Sequence, residues 1–359
     1  MKLERFLQHW WFKEYQVSVE GLGLYRIAYV LFVLFIYGLP DFSWIGSQPD
    51  YYYLPRMFSV GALFQEFPSS NVFFALQLII ALGYALLLVG WKTRVVSYAV
   101  PIAVLVCKTF SYAFGHLDHD IFAWIVPLVF AGSGWGNAYS VDAWQNRNRP
   151  IPPTTGWSGH MLAFLLSMAM FTSVLAKIIG GWLILDNQAV EAHFAYNYYV
   201  VGRHDLLATP FLGIKSAFFW EFMDWTAVLF EFSFILLMWR RRLFRALIGV
   251  ACIFHFLNMV MLNIPFTENI GAYLAFISWD WVKNKIPNIP LQFPPNTIAI
   301  SIVFCGLCAI PSWARQPEIR PLWMDAVELS IIGLIGVLIV GTFLVNTIRQ
   351  NLGSGNFAK

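Results

Sequence analysis

Charge is what this sequence has least of. Only 12% of its 359 residues are Asp, Glu, Lys or Arg, and 58% are hydrophobic, against roughly 25% and 45–50% in soluble domains. There is no nucleic-acid-type Lys/Arg tract and no glycine-rich phosphate loop, which excludes nucleic acids and nucleotides as expected partners. Cysteine is scarce: Cys107, Cys252, Cys305 and Cys308 all lie in apolar runs. Cys305-Gly-Leu-Cys308 has CxxC spacing, a hint of quinone-linked thiol chemistry. With no second cysteine pair in an outer loop, two small core residues one turn apart is the reading taken. Repeats, low-complexity tracts and soluble-domain linkers are also missing, so residues 1–359 are expected to form one transmembrane domain. No small-residue cleavage site follows the first apolar run, which is read as a retained span.

Long apolar runs fill the space that charge leaves. They predict an all-α, polytopic transmembrane helix bundle of about nine or ten spans. The runs cover 21–39, 72–90, 95–114, 120–133, 159–183, 218–239, 243–264, 270–281, 297–309 and 329–348. The fourth, eighth and ninth are short, and tilted, re-entrant or buried segments are the alternatives there. With the N-terminus in the cytoplasm, fifteen of the 23 basic residues fall on inner segments and five on outer ones. Arg26, Lys108 and Lys177 lie inside spans. That bias agrees with the positive-inside rule and places both ends inside. The outer loops 40–71 and 184–217 are rich in tyrosine and phenylalanine, as an aromatic belt or a lid would be.

The polar residues inside this apolar background segregate. Lys177 sits near the outer end of the fifth run, where a charge normally faces the bundle interior and has partners. The fourth run opens behind Gly115-His-Leu-Asp-His-Asp120. Glu221 and Asp224 begin the sixth run, His255 and Asn258 share a face of the seventh, and Glu268 precedes the eighth. Lys108 lies in the outer half of the third. Such a set suits general acid–base work, in which a desolvated amine serves as base and an imidazole donates to an oxyanion. The apolar surround suits a lipid-soluble substrate such as a quinol. The alternatives are structural. Lys177 can snorkel, Asp118 or Asp120 can cap a helix, and His255 can bond a neighbouring span. Glu221 and Asp224 are expected to be solvated, and Glu231 to pair with a basic or polar group. His116, Asp118, His119 and Asp120 lie too close in sequence to form a metal shell unaided, and no metal is expected.

At these residues the chain resembles the vitamin K-dependent gamma-glutamyl carboxylase family, including bacterial relatives that share its HTTM membrane domain. Three patterns carry the likeness: Ala176-Lys177-Ile-Ile-Gly-Gly-Trp182, Asp118-His119-Asp120 with Ser140-Val-Asp-Ala-Trp144, and His255-Phe-Leu-Asn258. The likeness runs over roughly residues 20–280. It implies that Lys177 is the base that deprotonates a reduced vitamin K or menaquinol. Dioxygen then reacts, and carbon dioxide is captured at a glutamate in a peptide or protein. It assigns His119 to the oxyanion and Asp118 and His255 to orienting the quinone head. Lys177, His119 and His255 are thus the expected catalytic residues, and Asp118, Asn258, Trp182, Asp120 and Glu268 the expected quinone-binding ones. Asp118 stands where the carboxylase has an amide, so donation to a quinone oxygen would need the protonated acid. The implied class is a carboxylase-like lyase or a quinol epoxidase or oxygenase. It would lie in a bacterial inner membrane with its site facing the periplasm or exterior, among lipid and quinol. Two non-enzymatic readings stand beside it: a structural or assembly partner glued by polar contacts, and a small-molecule transporter.

Overall fold

The computed structural model describes residues 2–114, 120–264, 266–286, 290–314, 333–334 and 336–345. In chain order the helices are α1 (Lys2–Phe12), α2 (Val19–Phe32), α3 (Ser70–Val89), α4 (Thr93–Ser111), α5 (Ile121–Phe130) and α6 (Val141–Gln145). There follow α7 (Trp157–Ile179), α8 (Ala189–Ala195), α9 (Ala217–Leu237), α10 (Arg241–Leu262), α11 (Ile270–Tyr273), α12 (Trp279–Lys285), α13 (Thr297–Ala314) and α14 (Gly336–Val345). No strand occurs among the described residues. The fold is all-α.

Five described segments are long and apolar enough to cross a membrane: Val19–Tyr37, Ser70–Val89, Thr93–Phe114, Trp157–Ile179 and Arg241–Leu262. Backbone groups in lipid must be paired internally, so an apolar run of this length has helix as its solution. Helix α9 is 21 residues long but carries Glu221, Asp224 and Glu231 on its apolar background. Exposed Val72, Phe74, Ile79, Ile300, Val303 and Leu307 give α3 and α13 the outward apolar faces of a membrane protein.

Two expected spans take a different form. The run 120–133 yields only the ten-residue α5, which contains Pro127 and gives way to a turn before Gly134. The run 270–281 is broken into α11, a 3-10 turn (Leu274–Phe276) and the start of α12, with Ile277 in extended backbone. Helix α7 ends at Ile179, which puts Lys177 in its last turn, closer to the helix end than expected.

The contacts divide the chain into two compact units. One comprises Trp11–Gly159 and Thr267–Arg320, the other Met1–Trp10, His160–Phe266 and Pro321–Lys359. In the first, α3 packs against α4, α13 and α2, and α4 against α5. A Cβ built on Gly83 would lie 2.2 Å from Val100 Cγ2, so glycine allows α3 and α4 their close approach. Arg26 is wholly buried and donates to the carbonyls of Trp135 (2.6 Å), Ala138 (3.4 Å) and Tyr139. That guanidinium satisfies carbonyls that the helix break after α5 leaves open. The Asp142 carboxylate accepts the Lys92 and Thr93 amides at 2.8 Å each and caps α4.

In the other unit α9 and α10 form a hairpin through a short turn after Met238. Phe230 meets Phe254 at 4.6 Å and Phe234 meets Phe244 at 5.8 Å. Ser167 of α7 donates to the Phe234 carbonyl at 3.1 Å. Gly249 of α10 and Gly336 of α14 face each other so closely that a Cβ on Gly336 would lie 2.7 Å from the Gly249 carbonyl oxygen. Small residues let backbones approach where lipid offers no hydrophobic drive.

Candidate functional site

Helix α7 presents Ser173 and Lys177 on one face, four residues apart. Helix α9 runs past them and places Glu231 opposite. Lys177 Nζ donates to both carboxylate oxygens of Glu231 at 2.8 Å and to Ser173 Oγ at 2.8 Å. The Lys177 side chain is 18% exposed and that of Glu231 8%. The ammonium thus sits in a near-dry notch between two helices, with its charge matched. Trp182 covers it from the chain beyond the helix, its ring 5.2 Å from Nζ. That distance is within cation–π range.

The segment after α7 folds back on itself. Trp182 N–H bonds the Lys177 carbonyl at 3.0 Å, and Asn187 Nδ2 donates to the Gly181 carbonyl at 2.8 Å. Gly181 has φ +81°, the left-handed backbone that closes a helix end at low cost in glycine. Residues 179–181 and 184–187 line an open surface groove of about 430 Å³. Ile179, Ile184 and Leu185 give it exposed aliphatic side chains, and Asp186 and Asn187 add polar groups.

Glu221 and Asp224 are not the solvated interface groups expected of them. Glu221 Oε1 accepts the Asp186 amide at 2.7 Å. Asp224 is wholly buried, and its two oxygens accept the Ala189 and Val190 amides at 2.8 Å each. A carboxylate at the start of α8 meets the unpaired N–H groups and the positive end of that helix's dipole. Both acids therefore hold the loop beyond the groove to α9. Beneath this loop Phe194, Leu206, Ala208 and Trp220 form a small apolar core.

His255 is buried on α10 with its ring tilted against that of Phe266, ring centroids 4.6 Å apart. Its neighbour Phe254 meets Phe230, which adjoins Glu231, so the two helices cross at this level. Asn258, one turn further on, is half-buried, and its carbonyl accepts the Ile264 amide at 3.5 Å.

The other expected site residues belong to the first unit. Asp120 is buried there; it pairs with Lys108 and accepts from Tyr37 Oη and Tyr112 Oη at 3.2 Å each. Lys108 also lies 5.7 Å from the Tyr112 ring and 5.9 Å from the Phe42 ring. Tyr37 reaches Asp120 from the end of a π-turn (Val33–Tyr37) that closes α2. Glu268 lies in a 3-10 turn (Thr267–Asn269). His119 and Asp118 fall outside the described residues. Lys177, Trp182, His255 and Asn258 thus share one unit, and Asp120 and Glu268 share the other.

Sequence reasoning identified Lys177 and a polar partner for Glu231 without joining the two, which are 54 residues apart. Ser173 was recoverable from its four-residue spacing. Tyr37 and Tyr112 carried no signal, because phenols in an aromatic-rich chain read as interface. No family model, no curated protein and no solved structure matches the chain, and the site is read from its own geometry.

Proposed function

We propose that the chain is an integral membrane enzyme whose acid–base centre is the Lys177–Glu231 pair and whose substrate is a reduced naphthoquinone. The observation that carries this reading is an amine and a carboxylate held at 2.8 Å in an apolar notch, near an open groove of mixed aliphatic and polar lining. The Trp182 ring beside Nζ and the exposed Ile179, Ile184 and Leu185 side chains suit a flat ring with an apolar tail. When bound, the quinol supplies a phenolic hydroxyl and two electrons for reaction with dioxygen.

The pair's part in such chemistry follows from proton placement. As a phenolic oxygen gives its proton to Nζ, Nζ gives one of its own to a Glu231 oxygen. The quinol O–H bond breaks, an O–H bond forms on Glu231, and the oxyanion is left beside the Lys177 ammonium. Ser173 Oγ and the Trp182 ring hold that ammonium in place. His119 as oxyanion donor and Asp118 as orienting group belong to the same proposal through the family resemblance. Nine or ten spans, a cytoplasmic N-terminus and a periplasm-facing site belong to it through the bias of basic residues.

A second reading is favoured by the same contact: the ion pair serves only as a tie between α7 and α9. Reconstitution decides between them. Wild type and Lys177→Ala are supplied with reduced menaquinone and dioxygen, with and without a glutamyl peptide and labelled bicarbonate. Quinone epoxide from wild type alone supports the oxygenase chemistry, and label in the peptide adds the carboxylase step. No product, or equal product from the variant, removes the enzymatic reading and leaves the tie.

A further inference from the structure

The loop 38–69 of the first unit carries an apolar crest that the proposed chemistry does not use. Met57 is 81% exposed, Phe58 98% and Leu63 83%, with Leu54 beside them at 65%. The crest is built, because its base is pinned to the end of α4. The Leu54 amide bonds the Ala113 carbonyl at 2.9 Å, and Phe64 packs edge-on against Phe110 at 5.2 Å. Tyr53 rests on Phe67 at 4.8 Å and donates to the Gly61 carbonyl at 2.6 Å.

Phe58 adopts φ +66°, in the left-handed region that a bulky side chain rarely enters. The adjoining turn is held by Ser59, whose amide and hydroxyl both donate to the Arg56 carbonyl, at 3.1 and 2.6 Å. Strain of this kind persists where the surroundings impose it. Here it drives an aromatic ring out of the protein. A soluble surface has no use for that, since contiguous exposed apolar residues mark an interaction site.

We infer that residues 54–63 insert into the headgroup–acyl boundary of the bilayer and anchor this unit at a fixed depth. The occupant follows from position. The loop joins Val19–Tyr37 to Ser70–Val89, both long and apolar enough to span, so both its ends lie at a membrane boundary. Its contacts with Phe110 and Ala113 keep it near the end of a third such helix. Between residues 51 and 65 there is one cation, Arg56, and no carboxylate. That is the composition of a segment whose apolar side chains enter lipid while a basic group meets phosphate.

Site-directed spin labelling of the full chain in phosphatidylcholine–phosphatidylglycerol vesicles tests this. Met57→Cys, Phe58→Cys and, as a solvent reference, Asp50→Cys are made with the four native cysteines replaced by alanine. Labels at 57 and 58 are expected to collide with dissolved oxygen several-fold more than with a water-soluble nickel chelate, and the label at 50 the reverse. Nickel access at 58 equal to that at 50 places the crest in water and overturns the inference. Shielding at 58 from both reagents places it against protein and also overturns it. If the cysteine-free chain loses its helical spectrum, a photoreactive benzophenone side chain at position 58 of the native chain gives the answer. A phospholipid adduct supports the inference. A protein adduct, or none, refutes it.

Discussion

Removing one member of the Lys177–Glu231 pair leaves the other stranded in an apolar interface, and the two losses should differ. Breaking a buried ion pair costs about 3–5 kcal/mol, mostly from the orphaned charge. Glu231 is only 8% exposed, so Lys177→Met leaves a carboxylate with nowhere to go and should cost about 3 kcal/mol. Lys177 is 18% exposed in the last turn of α7, so Glu231→Leu lets the ammonium swing outward and should cost about 2 kcal/mol. Lys177→Met with Glu231→Leu removes both charges and keeps the volume, and should fall within about 1 kcal/mol of wild type. The cycle therefore yields a coupling near 4 kcal/mol, roughly a thousandfold in the unfolding equilibrium. Titration with a denaturing detergent, followed by helical circular dichroism, measures it. Additivity of the single variants to within about 0.5 kcal/mol would show that the pair is not coupled and would refute the reasoning.

Three further outcomes follow from contacts elsewhere. Asp224→Ala strands two amides at the start of α8 and should destabilise by about 2–3 kcal/mol, with Asp224→Asn costing less. Hydrogen exchange over 186–195 should rise in step. Arg26→Met takes the donor from three carbonyls and should cost about 2–4 kcal/mol in the same detergent titration, with faster exchange at 135–142. Gly83→Ala must push α3 from α4 at Val100 and should cost about 1–3 kcal/mol, which Val100→Ala in the same chain should partly restore.

The long helices were legible because an apolar run of about twenty residues has one low-energy backbone in lipid. The runs 72–90, 95–114 and 243–264 meet α3, α4 and α10 to within a few residues. The runs 120–133 and 270–281 were legible as short, with a buried or re-entrant segment as the alternative to a span, but where they break was not. A buried ten-residue helix has the same composition as part of a span, and only Pro127 and the glycines after it marked the difference. At the site, Lys177 announced itself as a charge in apolar surroundings. Its partner did not, because pairing across α7 and α9 depends on the helices' mutual rotation, which no local pattern encodes. Glu221 and Asp224 read as solvated for a similar reason. Their partners are backbone amides of a loop some 35 residues earlier, and amides leave no mark in a sequence.

The most direct test of the central claim exchanges the two charges. Lys177→Glu combined with Glu231→Lys keeps an amine and a carboxylate in contact but moves the amine onto α9. If Lys177 is the base, the exchanged chain should recover most of the stability that either single variant loses, while quinol-dependent oxygen uptake stays at background. Recovery of stability and oxygen uptake together, or an absence of uptake in the wild type itself, would contradict the assignment.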